Sequence, residues 1–83
     1  MKTIVFTTAA AKDFDALPEL ARRAVTRALS SYAINGQGDV KRLSGRDGFR
    51  MRVGDYRVIF AEDQTTILAI AFARRGTTTY RRN

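Results

Sequence analysis

The chain contains no cysteine, no histidine and only one proline. Lack of cysteine removes disulfides and thiolate metal sites. Lack of histidine removes the usual general base near neutral pH and the commonest metal ligand. Any catalysis must therefore run on Lys, Arg, Asp, Glu, Tyr, Ser or Thr, and neither a metal nor a cofactor is expected. Long hydrophobic runs are missing as well. The apolar stretch Ile4–Phe6 near the start is too short for the core of a secretory leader, and Lys12 and Asp13 follow it closely. No segment reaches the roughly 20 apolar residues that a membrane helix needs. These absences predict a soluble, cytoplasmic protein.

What is present is arginine, unevenly placed. The 83 residues predict a single domain over 1–83 with a thin core, and hydrophobic residues at 45% suffice to pack it. The formal net charge is +7. Residues 1–40 hold five basic and four acidic side chains, whereas residues 41–83 hold ten basic and four acidic ones, nine of the ten being arginine. Arginine keeps its charge at any working pH, and its planar fork grips phosphate through two hydrogen bonds. A C-terminal half of this kind points to a polyanion, either nucleic acid or an acidic protein segment. A basic surface kept for solubility is the competing explanation, and composition does not separate the two.

Residues 2–7 are β-branched and aromatic and read as a first strand. Thr8 is placed to cap a short helix over 9–16, and Pro18 suits the first position of a second helix. In that helix Leu20, Ala21, Ala24, Val25, Ala28, Leu29 and Tyr32 recur at three- and four-residue steps and form an apolar stripe. Gly36 ends it. Residues 48–53 and 56–62 alternate apolar and polar side chains, whereas residues 66–73 are almost uniformly apolar, as in a central strand or one covered on both faces. A further extended piece at 39–43 is left open by the pattern. The order β-α-α-β-β-β predicts an α+β fold, with two N-terminal helices packed on one face of a small, mostly antiparallel, four-stranded sheet.

The most informative local feature is Gly54-Asp55, which suits a two-residue turn of the II′ type. With those two as the turn, Val53 pairs with Tyr56, Arg52 with Arg57, Met51 with Val58 and Arg50 with Ile59. Side chains alternate faces along a strand. Phe49, Met51, Val53, Tyr56, Val58 and Phe60 then form a core face, and Arg50, Arg52 and Arg57 gather on the other. Like charges directly opposite on neighbouring strands cost roughly 0.2–1 kcal/mol. An anion lying between them gives that cost a purpose; an ordinary solvated face, partly neutralised by Asp55 or Glu62, is the alternative. Further on, alternation puts Arg74 on the face of Leu68, Ile70 and Phe72 at the strand end. Tyr80 follows six residues later, where it either stacks on a base or folds back onto the sheet. Arg81 and Arg82 read as a frayed tail.

The segment Leu43–Phe60, with its Gly-Asp-Tyr-Arg-Val-Ile-Phe element at 54–60, resembles the centre of the RelE/ParE toxin superfamily of type II toxin–antitoxin systems. Arg74 through Tyr80 resembles that family's C-terminal pairing of a basic residue with a tyrosine. The likeness covers nearly the whole chain. It implies a RelE-like, microbial-RNase-type fold and a ribosome-dependent endoribonuclease that cleaves messenger RNA in the ribosomal A site, by attack of a ribose 2′-hydroxyl on the adjacent phosphate. It also implies a cognate antitoxin, expected to bring an acidic or amphipathic segment, and a higher-order toxin–antitoxin complex.

Carried over one at a time, the family's catalytic positions fall on Arg52, Arg57, Arg74 and Tyr80. The expected RNA-binding side chains are Arg50, Arg46, Lys41 and Arg75. Two departures matter. Where the best-known relatives carry lysine, residues 50 and 52 are arginine, which binds phosphate but cannot act as a base. The chain also ends three residues after Tyr80, where many relatives continue into a terminal helix. Two other readings arise from the same resemblance: a ParE-like toxin that inhibits DNA gyrase by binding, and a catalytically inactive relative that binds its antitoxin.

Overall fold

Two helices lie on one face of a five-stranded sheet in the computed structural model, which describes residues 1–74. The elements in chain order are β1 (Thr3–Phe6), α1 (Thr8–Asp15), α2 (Glu19–Asn35), β2 (Asp39–Arg42), β3 (Phe49–Val53), β4 (Tyr56–Glu62) and β5 (Thr66–Arg74). The strands lie side by side as β1-β5-β4-β3-β2, with β1 parallel to β5 and every other pair antiparallel. The α+β class and the helix–sheet layering agree with the sequence, but the sheet has five strands rather than four. The extra one, β2, is an edge strand of four residues whose single half-buried apolar side chain, Val40, gave little pattern to read.

Local signals set most boundaries. Thr7, not Thr8, caps α1: its hydroxyl accepts from the Ala10 N–H at 3.0 Å, while its own N–H still bonds the Ala69 carbonyl at 3.0 Å as the last extended residue. Pro18 is the N-cap of α2 and Gly36 its C-cap. Residues Ala21, Val25, Leu29 and Ala33 are the buried face of α2. They recur every fourth residue, so Leu20 falls off that row and stays 78% exposed.

Under the helices the core joins Val25 and Leu29 to Met51, Val58, Phe60, Ile67, Ala69 and Phe72. Phe6, Phe14 and Phe72 meet at ring separations of 5.2–5.6 Å. A polar clamp closes the other end. Lys2 Nζ and the Tyr32 hydroxyl donate to the two oxygens of Glu62 at 2.8 and 2.7 Å, tying the start of the chain to α2 and β4. Burial works to raise the Glu62 pKa, but the bonds from Lys2 and Tyr32 outweigh it and hold the carboxyl below its ordinary range. Burial, followed by the bond to Glu62 and its charge, pushes the Tyr32 phenol up to about 12.

One irregularity in β5 re-aims its side chains. Ala69 opposes Phe60 and Ala71 opposes Ile59, so Ile70 is a bulge residue with no partner on β4. Beyond Ala69 the outer edge of β5 also outruns β1. The α1 region satisfies that edge instead: the Thr7 hydroxyl donates to the Ile70 carbonyl at 3.3 Å, and Asp13 accepts from the Phe72 N–H at 3.2 Å.

Candidate functional site

The hairpin of β3 and β4 has the register that its turn dictates. Val53 pairs with Tyr56, Arg52 with Arg57, Met51 with Val58 and Arg50 with Ile59. Gly54 has φ +57, and among the described residues no non-glycine has positive φ. That combination is the II′ turn, which a side chain at position 54 would strain. Alternation then separates the faces. Met51, Val58 and Phe60 are buried under the helices, and Phe49 and Val53 pack against them. The face away from the helices takes Arg50, Arg52 and Arg57.

Edge strand β2 extends this face. Lys41 opposes Arg50, and Asp39 opposes Arg52. Successive rows across the sheet therefore read Lys41, Arg50, Ile59, Ala71 and Asp39, Arg52, Arg57, Ala73. Two like-charge neighbours, Lys41 with Arg50 and Arg52 with Arg57, sit on directly opposed positions. The pair next to a two-residue turn's closing pair is not hydrogen-bonded to each other, so Arg52 and Arg57 face across the narrower spacing, with Cα atoms about 4.5 Å apart. Asp39 is the one acid in these rows. Arg42 turns to the other face, its guanidinium 5.5 Å from the Phe49 ring centre.

A cleft of about 390 Å³ opens on this face. Arg46, Arg50 and Arg57 line one part of it, with Ser44 beside them. Leu43, Ile59, Ile70 and Ala71 line the rest. The loop wall is held by the Leu43 N–H bonding the Gly48 carbonyl at 3.0 Å. Gly48 has φ +113, and a Cβ there would come within 3.2–3.3 Å of Leu43 and of the Phe60 carbonyl, so glycine is what lets the loop lie this close. Fixed cations over an apolar floor can neutralise a phosphate and desolvate what is attached to it.

Of the expected site residues, Lys41, Arg46, Arg50, Arg52 and Arg57 thus share one face. Arg74 does not follow the expected alternation. The bulge at Ile70 shifts the phase of β5, so Ile67, Ala69 and Phe72 face the core while Ile70 and Ala71 both line the cleft. Arg74 shares the face of Phe72 but not that of Leu68 and Ile70; it is exposed, opposite Tyr56 at the strand end. Arg75 and Tyr80 lie outside the described residues. Sequence reasoning missed the apolar half of the cleft. The run at 66–73 signalled a strand, but nothing local marked which of its residues would face away from the helices.

A second, shallower depression of about 650 Å³ lies on the helical side against Phe14, Glu19, Arg22, Arg23, Thr26 and Arg27. Its cations are partly committed: Arg23 pairs with Glu19 at 2.8 Å, and Arg22 donates to the Leu17 carbonyl. The sheet face is the stronger site.

Neither a family model nor a curated protein matches the sequence. Solved structures do match. The chain is similar to one in the toxin–antitoxin complex RelBE2 of Mycobacterium tuberculosis at 29% identity, over 89% of this chain and 98% of that one, with a TM-score of 0.76. A chain of the archaeal RelE–RelB complex from Pyrococcus horikoshii aligns at 24% identity over 90% of this chain and 96% of that one, with a TM-score of 0.76. The YoeB dimer of Staphylococcus aureus aligns at 19% identity over 92% and 98%, with a TM-score of 0.73; at these lower identities the likeness is one of fold. By its fold and its likeness to the mycobacterial toxin–antitoxin chain, this protein belongs to the RelE-like toxin superfamily.

Proposed function

We propose that this chain is the toxin of a type II toxin–antitoxin pair and acts as a ribosome-dependent endoribonuclease on messenger RNA in the A site. The observation that carries the reading is the opposed pair Arg52–Arg57, with Arg50 on the same face beside an open cleft. Such a cluster costs folding energy, part of which Asp39 opposite Arg52 offsets, and an anion bound on this face offsets more.

Cleavage by an internal 2′-hydroxyl needs in-line geometry, charge stabilisation on the phosphorane and two proton transfers. Arg52 and Arg57 supply fixed cationic donors to the developing charge, often the largest single contribution to such a rate. Arg46, Arg50, Lys41 and Arg75 hold the flanking backbone. Arg74, exposed at the end of β5, holds the scissile phosphate or protonates the 5′-oxygen as it leaves, and Tyr80 stacks on a base or takes the proton of the attacking 2′-hydroxyl. Arginine at 50 and 52 leaves those positions without a base. The ribosome therefore supplies much of the orientation, and the free protein is a poor nuclease. The partner is a cognate antitoxin whose acidic or amphipathic segment covers the arginine face, a reading supported by the similar chains that come from toxin–antitoxin complexes.

The test is primer extension on a ribosome complex with a defined A-site codon, alongside the same RNA without ribosomes. A cut within the codon, present only with ribosomes and lost in Arg52→Ala and Arg74→Ala, is expected. No cut by folded protein overturns the reading and directs the next assay to gyrase supercoiling.

A further inference from the structure

The apolar half of the cleft has no part in the cleavage chemistry, yet it is unusual. Ile70 is a β-branched side chain in β5, one residue past that strand's last pairing with β1, and it is 40% exposed. The bulge is the cause: without it Ile70 and Ala71 would point to opposite faces, whereas with it both line the cleft. Bulges of this kind re-aim side chains beside functional sites.

The rows give the scale. Arg50, Ile59 and Ala71 are successive neighbours across β3, β4 and β5, so the cationic end and the apolar end are two strand spacings apart, roughly 10 Å. Ile59 begins the floor one strand spacing, about 5 Å, from Arg50, so a phosphate on the cations and a base one ribose away both fall within this span. The cleft volume of about 390 Å³ lies in the range of small-ligand sites, about 300–1,000 Å³. Charge complementarity also favours a phosphate at one end, and a flat base suits the aliphatic floor at the other.

We propose that this cleft seats one nucleotide of the RNA, its base on the floor formed by Ile59, Ile70 and Ala71 and its phosphate held by Arg46 and Arg50. Ile70 is then a specificity-determining residue. The inference rests on the RNA-cleaving reading for its biological role, but the binding itself is testable without it.

The purified chain is titrated with the four ribonucleoside monophosphates, adenosine, inorganic phosphate and hexaglutamate, and amide shifts are followed by NMR. Monophosphates are expected to bind about fivefold or more tightly than phosphate or adenosine, what burying about 40 Å² of base surface on an aliphatic floor contributes at about 25 cal/mol per Å², with shifts at Ile59, Ile70 and Ala71. Ile70→Asn removes the advantage over phosphate at unchanged melting temperature, Ile70→Val keeps it, and Arg50→Ala weakens both ligands. Equal binding of phosphate and monophosphates overturns the seat. So does movement of these amides by hexaglutamate alone, which marks an acidic-polypeptide surface. In the ribosome assay, Ile70→Asn cutting with wild-type rate and unchanged base distribution overturns the seat and leaves the nuclease standing. Nucleotide binding with no cut by the wild type does the reverse.

Discussion

At the scale of the residue, the arginine pair sets stability against function. Arg52 has Arg57 opposite on one side and Asp39 on the other, so the carboxylate offsets part of the repulsion. Replacing Arg52 with threonine is expected to stabilise the fold by about 0.2–1 kcal/mol at low salt. Urea denaturation at low and high ionic strength measures it. The gain should shrink towards 1 M salt, where the screening length is only about 3 Å. Lower stability of Arg52→Thr at low salt would mean that the two guanidinium groups do not repel. Toxicity should fall in the same variant, which separates this position from ordinary surface arginines such as Arg23, already paired with Glu19.

At the scale of the element, the clamp of Lys2, Tyr32 and Glu62 joins the start of the chain to α2 and β4, and its pH dependence has a defined sign. Glu62 titrates below its ordinary value of 4.5. The stability it contributes is therefore present above pH 4.5 and lost as pH falls through its lower folded value. Tyr32 is raised from 10 to about 12, so its contribution is whole below pH 10 and lost as pH rises through about 12. Thermal melts across pH should show both edges. Glu62→Gln is expected to flatten the acid edge and Tyr32→Phe the alkaline one; an acid edge of wild-type steepness in Glu62→Gln would mean that the clamp does not govern acid stability.

At the scale of the whole molecule, charge segregation governs association. The helices cover one face of the sheet, and the other carries Lys41, Arg50, Arg52 and Arg57, with Arg46 at the cleft. Polyanion binding should therefore be steep in salt. For single-stranded RNA each neutralised phosphate contributes about −0.7 to the slope of log affinity against log salt. Arg50→Gln is expected to weaken binding of a short RNA and to reduce the slope by about that amount. Fluorescence anisotropy over a salt series gives both quantities. An unchanged slope would mean that Arg50 makes no phosphate contact in the complex.

Most of what is local in this protein is already written in its sequence. The Gly54-Asp55 turn dictates the hairpin register, and the register dictates that Arg50, Arg52 and Arg57 share a face, because a two-residue turn leaves one pairing and strands alternate strictly. The helix α2, its Gly36 end and the strand character of 66–74 arise equally from short-range chemistry. Three things needed the tertiary structure. Strand β2 exists because β3 offers it a ladder, not because Asp39-Val40-Lys41-Arg42 has a strand pattern of its own. The bulge at Ile70 lets Ala69 and Phe72 both face the core while β5 stays paired to β4, a phase set by pairing between residues distant in sequence. That bulge then decides that Ile70 and Ala71 join the arginine cleft and that Arg74 leaves the face of Leu68. Periodicity carries no information about where a strand slips by one residue, because the slip is settled by packing across the sheet and not along the chain.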